Sequence, residues 1–190
     1  MKMIANIGKF FVLLSNIKLF CIASYYKSKY LDQMKSVGKD VKFNGLSKIS
    51  GLRNITIGNN VHIGNNAYIS GIGGLSIGDN THISSNLTLY TNSHNYEGKL
   101  LPYDNTYHYK EVVIEKNVWI GINVTILPGT CIEEGCVIGA GAVVHGRIPK
   151  CTIFVASSGT NLKLRDLLHY EKLELEKMYG GVSGHEYSAK

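Results

Sequence analysis

Between residues 114 and 149 the sequence repeats in sixes: Ile114-Glu-Lys-Asn-Val118-Trp, Ile120-Gly-Ile-Asn-Val124-Thr, Ile126-Leu-Pro-Gly-Thr130-Cys, Ile132-Glu-Glu-Gly-Cys136-Val, Ile138-Gly-Ala-Gly-Ala142-Val and Val144-His-Gly-Arg-Ile148-Pro. Every block opens on Ile or Val, and its fifth place is Val, Thr, Cys, Ala or, once, Ile. A period of six matches neither the 3.6 of a helix nor the alternation of a strand. It matches a solenoid in which a short flat strand is followed by a turn onto the next wall of a prism. The opening aliphatic then points inward, where its copies stack, and the fifth place lies near a corner that accepts modest volume.

A second regularity precedes the first. Residues 49–68 and 69–88 share nine of twenty places, among them Ile49/Ile69, Ile57/Ile77, Asn60/Asn80, His62/His82 and Asn66/Asn86. Twenty residues are three sixes plus two extra at a corner, so this stretch holds full coils slightly longer than those after residue 113. Adjacent coils are then about 4.8 Å apart, as in paired strands, and His62 lies over His82 on the outer surface. Asn and Gly supply the positive-φ corners. The rhythm breaks between His94 and Val112, where four tyrosines stand in a long unpatterned loop; such an excursion is usually functional or intersubunit.

A solenoid is stabilised by contacts between neighbouring coils and needs capped ends. In this chain of 190 residues the ends differ from the middle. The reading is an N-terminal helical cap over 1–45, a solenoid over 46–155 with a protruding loop at 95–112, and a C-terminal helix with a flexible tail over 156–190. Residues 3–36 read as helical in two pieces, with Ile4, Ile7, Phe10, Phe11, Leu14, Ile17, Phe20 and Cys21 recurring at helical spacing. Residues 161–179 read as an amphipathic helix carrying Leu164, Leu167, Leu168, Leu175 and Met178 on one side, and the tail 180–190 as disordered.

Residues 1–42 hold eight Lys and two Asp, a balance of +6 that equals the whole-chain excess. The basicity is therefore local to the N-terminal segment, which argues against a nucleic-acid groove along the body and for an anionic partner near one end. That segment reads either as a cap on the solenoid or a sister subunit, or as a basic helix resting on a membrane surface. Lys9 and Lys18 interrupt the uncharged run that a membrane span needs, and no cleavable signal is legible. Cys21, Cys131, Cys136 and Cys151 show no CxxC spacing and read as reduced filler, which fits a cytoplasmic protein, peripheral at the inner face of the membrane if the basic helix docks there.

Trp119-Ile-Gly-Ile-Asn-Val-Thr-Ile-Leu-Pro-Gly129, followed by Val137-Ile-Gly-Ala-Gly-Ala-Val-Val144, resembles the hexapeptide-repeat acyltransferase family. The nearer likeness is to sugar O-acetyltransferases of the maltose/galactoside type and those that modify polysaccharides. The likeness covers roughly residues 49–155. It implies a mostly β chain folded as a left-handed parallel β-helix, a homotrimer, and acetyl-CoA bound between neighbouring subunits, with no metal.

By the same resemblance His94, in Thr91-Asn-Ser-His94-Asn-Tyr, is the catalytic base. Neutral imidazole, with an ordinary pKa near ~6.5, suits removal of a hydroxyl proton as a thioester is attacked. Trp119 matches the aromatic beside the thioester, Ile122 and Ala140 flank the pantetheine arm, and His145 lies where the family commonly meets the cofactor. Lys163 and Arg165 stand near the family's phosphate-binding cations, with Arg147 and Lys150 as alternatives. The chain departs from type there, reading Ser157-Ser-Gly-Thr-Asn-Leu-Lys163. Asn66 lies near an asparagine that some sugar acetyltransferases use, but its repeat place reads as a surface corner.

The resemblance thus implies transfer of an acetyl group to a hydroxyl of a sugar, a polysaccharide or its lipid-linked precursor. The loop tyrosines are candidates for stacking on sugar faces. Amino-sugar N-acetylation is the near alternative. A γ-type carbonic anhydrase-like zinc enzyme, for which only His62, His82 and His94 are on offer, and a non-catalytic sugar-binding scaffold are alternatives of other classes.

Overall fold

In a computed structural model, which describes residues 2–155, 163–164 and 166–177, the block-opening aliphatics lie one above another inside a three-walled solenoid of parallel strands. The first wall holds strands Ser36–Val37, Ile55–Ile57, Leu75–Ile77, Val112–Ile114, Cys131–Ile132 and Arg147–Ile148 in that order. The second holds Lys42–Phe43, His62–Ile63, His82–Ile83, Trp119–Ile120, Val137–Ile138 and Thr152–Phe154, closed by the antiparallel pair Lys163–Leu164. The third holds Lys48–Ser50, Tyr68–Ser70, Thr88–Tyr90, Thr125–Ile126 and Val143–Val144. The parallel ladder thus begins at Ser36, which pairs with Thr56.

Each wall contributes one inward column. Ile57, Ile77, Ile114, Ile132 and Ile148 are successive partners on the first wall. Ile63, Ile83, Ile120 and Ile138 follow on the second, and Ile49, Ile69, Leu89, Ile126 and Val144 on the third. All are buried, as are the fifth-place residues Val118, Val124, Thr130, Cys136 and Ala142. Burying one such aliphatic contributes about 1.5–3 kcal/mol, and stiff β-branched side chains suit a pleated wall. The filler reading of the cysteines holds for Cys136 and Cys151, both buried. Burial pushes the Cys136 thiol up to about 11.

The corners explain the asparagines. Asn60, Asn80 and Asn117 all have φ between 53° and 60°, and their side chains form a ladder: Asn60 Nδ2 donates to Asn80 Oδ1 at 3.0 Å, and Asn80 Nδ2 to Asn117 Oδ1 at 3.1 Å. A second ladder runs from Asn66 through Asn86 to Asn123 at 2.9 and 2.8 Å. Asn tolerates the left-handed region and bonds to its copy on the next coil. One coil further on, Gly135 and Gly141 take over these two corners, both with positive φ. The corner that carries Asn60 and Asn80 also needs smallness: a Cβ on Gly38 would stand 2.5 Å from the Gly58 carbonyl carbon, and one on Gly78 2.6 Å from the Lys116 nitrogen.

On the outer face of the second wall, His62 pairs with His82 and their rings stack at 4.3 Å and 7°. Both are half-buried rather than freely solvated, and among the described residues neither Nε2 has a hydrogen-bond partner. Burial, then the neighbouring His82 charge and Lys42, lowers the pKa of His62; burial, then Lys42, lowers that of His82.

Both termini depart from expectation. Helix α1 runs unbroken from Lys2 to Leu31, not in two pieces. Its interior contains no Pro and only one glycine, Gly8, so no residue in it forces a break. Helix α2 spans Leu167–Leu175, shorter than the expected 161–179, and Leu164 belongs to the closing strand instead. Its leucines do not form the buried side: Leu168 and Leu175 are 82% and 84% exposed, while Tyr170 is buried. The Tyr170 hydroxyl donates to Glu134 at 2.7 Å and accepts from Asn117 Nδ2 at 2.9 Å, and Lys116 pairs with Glu174. A polar clasp on the asparagine corner, not a leucine stripe, docks α2. Met178 and the tail 180–190 lie outside the described residues.

Two outcomes follow from the corners and the imidazole stack. Asn80→Ala loses two ladder bonds and places a Cβ-bearing residue without a local partner at positive φ, costing about 2–4 kcal/mol, whereas Asn80→Gly costs about half as much; chemical-denaturation midpoints measure both. The unfolded chain protonates its imidazoles near pH ~6.5, and the folded pair only at lower pH, so stability is complete above ~6.5 and declines as pH falls below it. A His62→Asn/His82→Asn double variant therefore shows a shallower fall in melting temperature between about pH 7.5 and 5.5.

Candidate active site

The regular third wall is interrupted once, after Tyr90. There the chain leaves as a hairpin whose strands Asn92–His94 and Tyr107–Tyr109 pair antiparallel, His94 opposite Tyr107. The root is stapled to the solenoid by buried Thr91, whose hydroxyl donates to the Ser70 carbonyl and accepts from the Gly73 nitrogen, both at 2.7 Å. Ser70 Oγ donates to Asn92 Oδ1 at 2.8 Å. Asp104 gathers the tip, accepting from the backbone nitrogens of Lys99 and Thr106 and from the Thr106 hydroxyl, and these bonds hold its carboxyl below its ordinary pKa. His108 turns to Asn95 Oδ1 at 3.0 Å.

His94 sits on the exposed side of this hairpin. Its ring stacks on Tyr103 with centroids 3.9 Å apart and lies against Tyr107 at 4.5 Å. Aromatic contacts thus fix the plane of the imidazole, and no side-chain hydrogen bond with another described residue occupies its nitrogens. It opens onto a cleft of about 490 Å³ whose lining includes Tyr68, Ser70, Tyr90, Asn92 and Tyr107. The Tyr68 and Tyr90 rings are 5.4 Å apart, and Lys48 Nζ stands 5.4 Å from the Tyr68 ring. An imidazole beside hydroxyls and flat apolar rings suits a polyhydroxylated ligand with an apolar face.

Trp119 lies elsewhere. It pairs with His82 on the second wall and is 56% exposed. With Ile122, His62, His82, Asn65 and Ser85 it lines a second cleft of about 510 Å³. The two clefts have no lining residue in common. Ile122 and Ala140 are exposed on successive coils of one corner, where the Gly141 nitrogen donates to the Ile122 carbonyl at 2.8 Å. A Cβ on Gly121 would approach the Ala140 nitrogen to 2.7 Å, so glycine is what lets the coils close there.

Ala140 and His145, both exposed, line neither cleft. The Lys163 backbone is placed opposite Ile153 in the closing strand, and Arg165 lies outside the described residues. Arg147 pairs with Glu133, and Lys150 Nζ is 3.6 Å from Glu134 Oε1. Asn66 belongs to the corner ladder, as its repeat place implied. His94 stands apart from the His62–His82 stack, so the three do not converge within one chain, and among the described residues no group of three His, Cys, Asp or Glu side chains is placed to hold a metal ion.

Tyr68, Ser70 and Tyr90 went unnoticed in the sequence. Their signal was present, since the twenty-residue register sets Tyr68 beside Thr88 and Ser70 beside Tyr90 on the outward side of one wall.

Residues 111–146 match the model of the bacterial transferase hexapeptide (six repeats), and residues 54–91 that of the hexapeptide repeat of succinyl-transferase. An Escherichia coli (strain K12) protein named as a lipopolysaccharide biosynthesis O-acetyl transferase is 57% identical over 42 residues, 22% of this chain and 21% of its own. The galactoside O-acetyltransferase of Lactococcus lactis is 33% identical over 100 residues, 48% of this chain and 47% of its own. The chain thus spans about a fifth of the length of the first curated relatives it matches and about half of the Lactococcus enzyme. A solved galactoside acetyltransferase in complex with coenzyme A superposes with a TM-score of 0.64 at 25% identity, covering 86% of this chain and 76% of the other. Both sets of coils are thus matched by hexapeptide-repeat models, and the solenoid is similar to that of a sugar acetyltransferase.

Proposed function

We propose that this protein transfers an acetyl group from acetyl-CoA to a hydroxyl of a sugar or polysaccharide, with His94 as general base. The observation that carries the reading is the placing of His94: an exposed imidazole, oriented by two tyrosine rings, at the edge of a cleft that Tyr68 and Tyr90 floor with aromatic surface. Relatives named for acetyl transfer to galactosides and in lipopolysaccharide biosynthesis, and a neighbour that binds coenzyme A, support it.

The surface around Trp119 fits an acyl-CoA donor. Trp119 and Ile122 present exposed apolar area, and the small residues Gly139, Ala140 and Gly141 leave room for a slender pantetheine arm. In this reading His145 flanks the arm, and Lys163 and Arg165 serve the phosphates, since Arg147 and Lys150 already face Glu133 and Glu134. The two clefts lie on different walls of one chain. A homotrimer that sets the Trp119 wall of one copy against the His94 cleft of the next supplies both substrates to one site.

The chemistry is then a direct transfer. His94 takes the acceptor's hydroxyl proton as the oxygen bonds to the thioester carbonyl carbon, and a backbone N–H stabilises the oxyanion. Collapse breaks the C–S bond, and His94 returns its proton to the thiolate. The step requires no covalent enzyme intermediate.

Thiol release from acetyl-CoA, measured against a panel of sugars, oligosaccharides and amino sugars, tests this. His94→Ala and His94→Gln each lower kcat by about 10²–10⁴ with the KM for acetyl-CoA little changed; a His94→Ala enzyme as active as wild type removes His94 from the role. Trp119→Ala raises the KM for acetyl-CoA, and Tyr90→Ala the KM for the acceptor, each by roughly three- to tenfold, the scale of one aromatic contact. A swap of these two effects contradicts the assignment of the clefts.

A further inference from the structure

Helix α1 exposes apolar surface that the solenoid does not use. Its end is anchored: Tyr30 and Leu31, with Met34 just beyond the helix, pack against the core, and the Tyr30 hydroxyl donates to the Ser47 carbonyl at 3.1 Å. Earlier in the helix, Phe10, Phe11, Leu13, Ile17 and Phe20 are 51–73% exposed. Phe10, Phe11 and Leu13 point to different sides, so this surface wraps the helix rather than forming one stripe. A helix that exposes this many bulky apolar side chains on several sides is normally covered by something.

Charge selects the cover. Through residue 31 the chain carries Lys2, Lys9, Lys18, Lys27 and Lys29 and no Asp or Glu. A second copy of the same helix brings like charge to like charge, whereas phospholipid headgroups bring the opposite sign. No helix among the described residues is long and apolar enough to cross a membrane. The matching geometry is a helix embedded at the interface, with aromatic and aliphatic side chains among the acyl chains and lysines reaching up to the phosphates. We infer that α1 docks the protein on the surface of an anionic lipid bilayer. This rests on the helix alone and stands whether or not the proposed acetyl transfer does.

Flotation of the full chain with vesicles tests it. Vesicles of phosphatidylcholine with about one-third phosphatidylglycerol retain the protein at ~0.1 M salt, and phosphatidylcholine alone retains about tenfold less or lower still. Raising salt to about 0.5 M weakens binding. Phe10→Ser/Phe11→Ser/Phe20→Ser loses about tenfold or more, and Lys9→Gln/Lys18→Gln about tenfold. These side chains do not pack on the core, so an unchanged thermal melt of the solenoid certifies that both variants are folded. Three outcomes overturn the inference: a full chain that floats with neither vesicle, a phenylalanine variant that floats like wild type, and equal binding to both vesicle types. Light scattering identifies the rival cover: a drop in molecular mass in the phenylalanine variant, with wild type unbound to vesicles, assigns the helix to another copy of this chain.

Discussion

In-register stacking of one inward aliphatic per wall is the interaction on which the rest of the molecule depends. A single coil buries almost nothing by itself, because its three short strands enclose only the space that the next coil must fill. Ile120 is sealed by Ile83 beneath and Ile138 above, and any shift of one residue would turn Trp119 or Gly121 inward instead. Register is therefore enforced at every wall of every coil, and insertions are tolerated only where the chain can leave and re-enter at one point. The third wall shows this. Tyr68 and its partner Thr88 are 20 residues apart, whereas Thr88 and its partner Thr125 are 37 apart. The added length is absorbed because Lys110 returns to within 2.9 Å of the Thr91 carbonyl it left from. The hairpin carrying His94 is thus the form of excursion the solenoid permits.

The corners divide the labour in a way that leaves the outer faces free. Asparagine ladders satisfy the positive-φ turns of the earlier coils and glycines those of the later ones, so neither the inward columns nor the corners constrain what points outward. Outward positions are then available for other work. His62, His82 and Trp119 form one column on the second wall, and Lys48 and Tyr68 share another on the third. The first column is aromatic, and burial lowers the pKa of both its imidazoles; the second borders the cleft beneath His94.

This division also explains what could be read from the sequence. Inward columns and corners are periodic, so the hexads, the twenty-residue coils, the face-to-face imidazoles and the positive-φ asparagines were all legible. His94 was conspicuous because it stands where the rhythm stops. Tyr68 and Tyr90 were not, since an outward tyrosine obeys no period and gains meaning only when the hairpin overhangs it. The C-terminal helix was misread for a related reason. Leucine spacing predicts which side of a helix is apolar, but the docking of α2 is decided by Tyr170 and Glu174 meeting Asn117 and Lys116, partners more than fifty residues away in sequence. The unbroken α1 fell to the same limit, because nothing in a run of helix formers marks where a solenoid stops holding it.

The separation of the His94 cleft from Trp119 follows from the shape of the prism. Three flat walls meeting at outward corners make a convex body, and a convex body cannot wrap a ligand. Concavity arises only where the chain departs from the repeat or where another surface is laid against it. The hairpin supplies the first kind and is enough to shelter an imidazole and one ligand face. A reaction that joins two substrates needs the second kind as well, because the wall bearing Trp119 turns away from the wall bearing Tyr90 in every coil. The two clefts on this chain share no lining residue, so a two-substrate reaction that used both would need a second surface to bring them together.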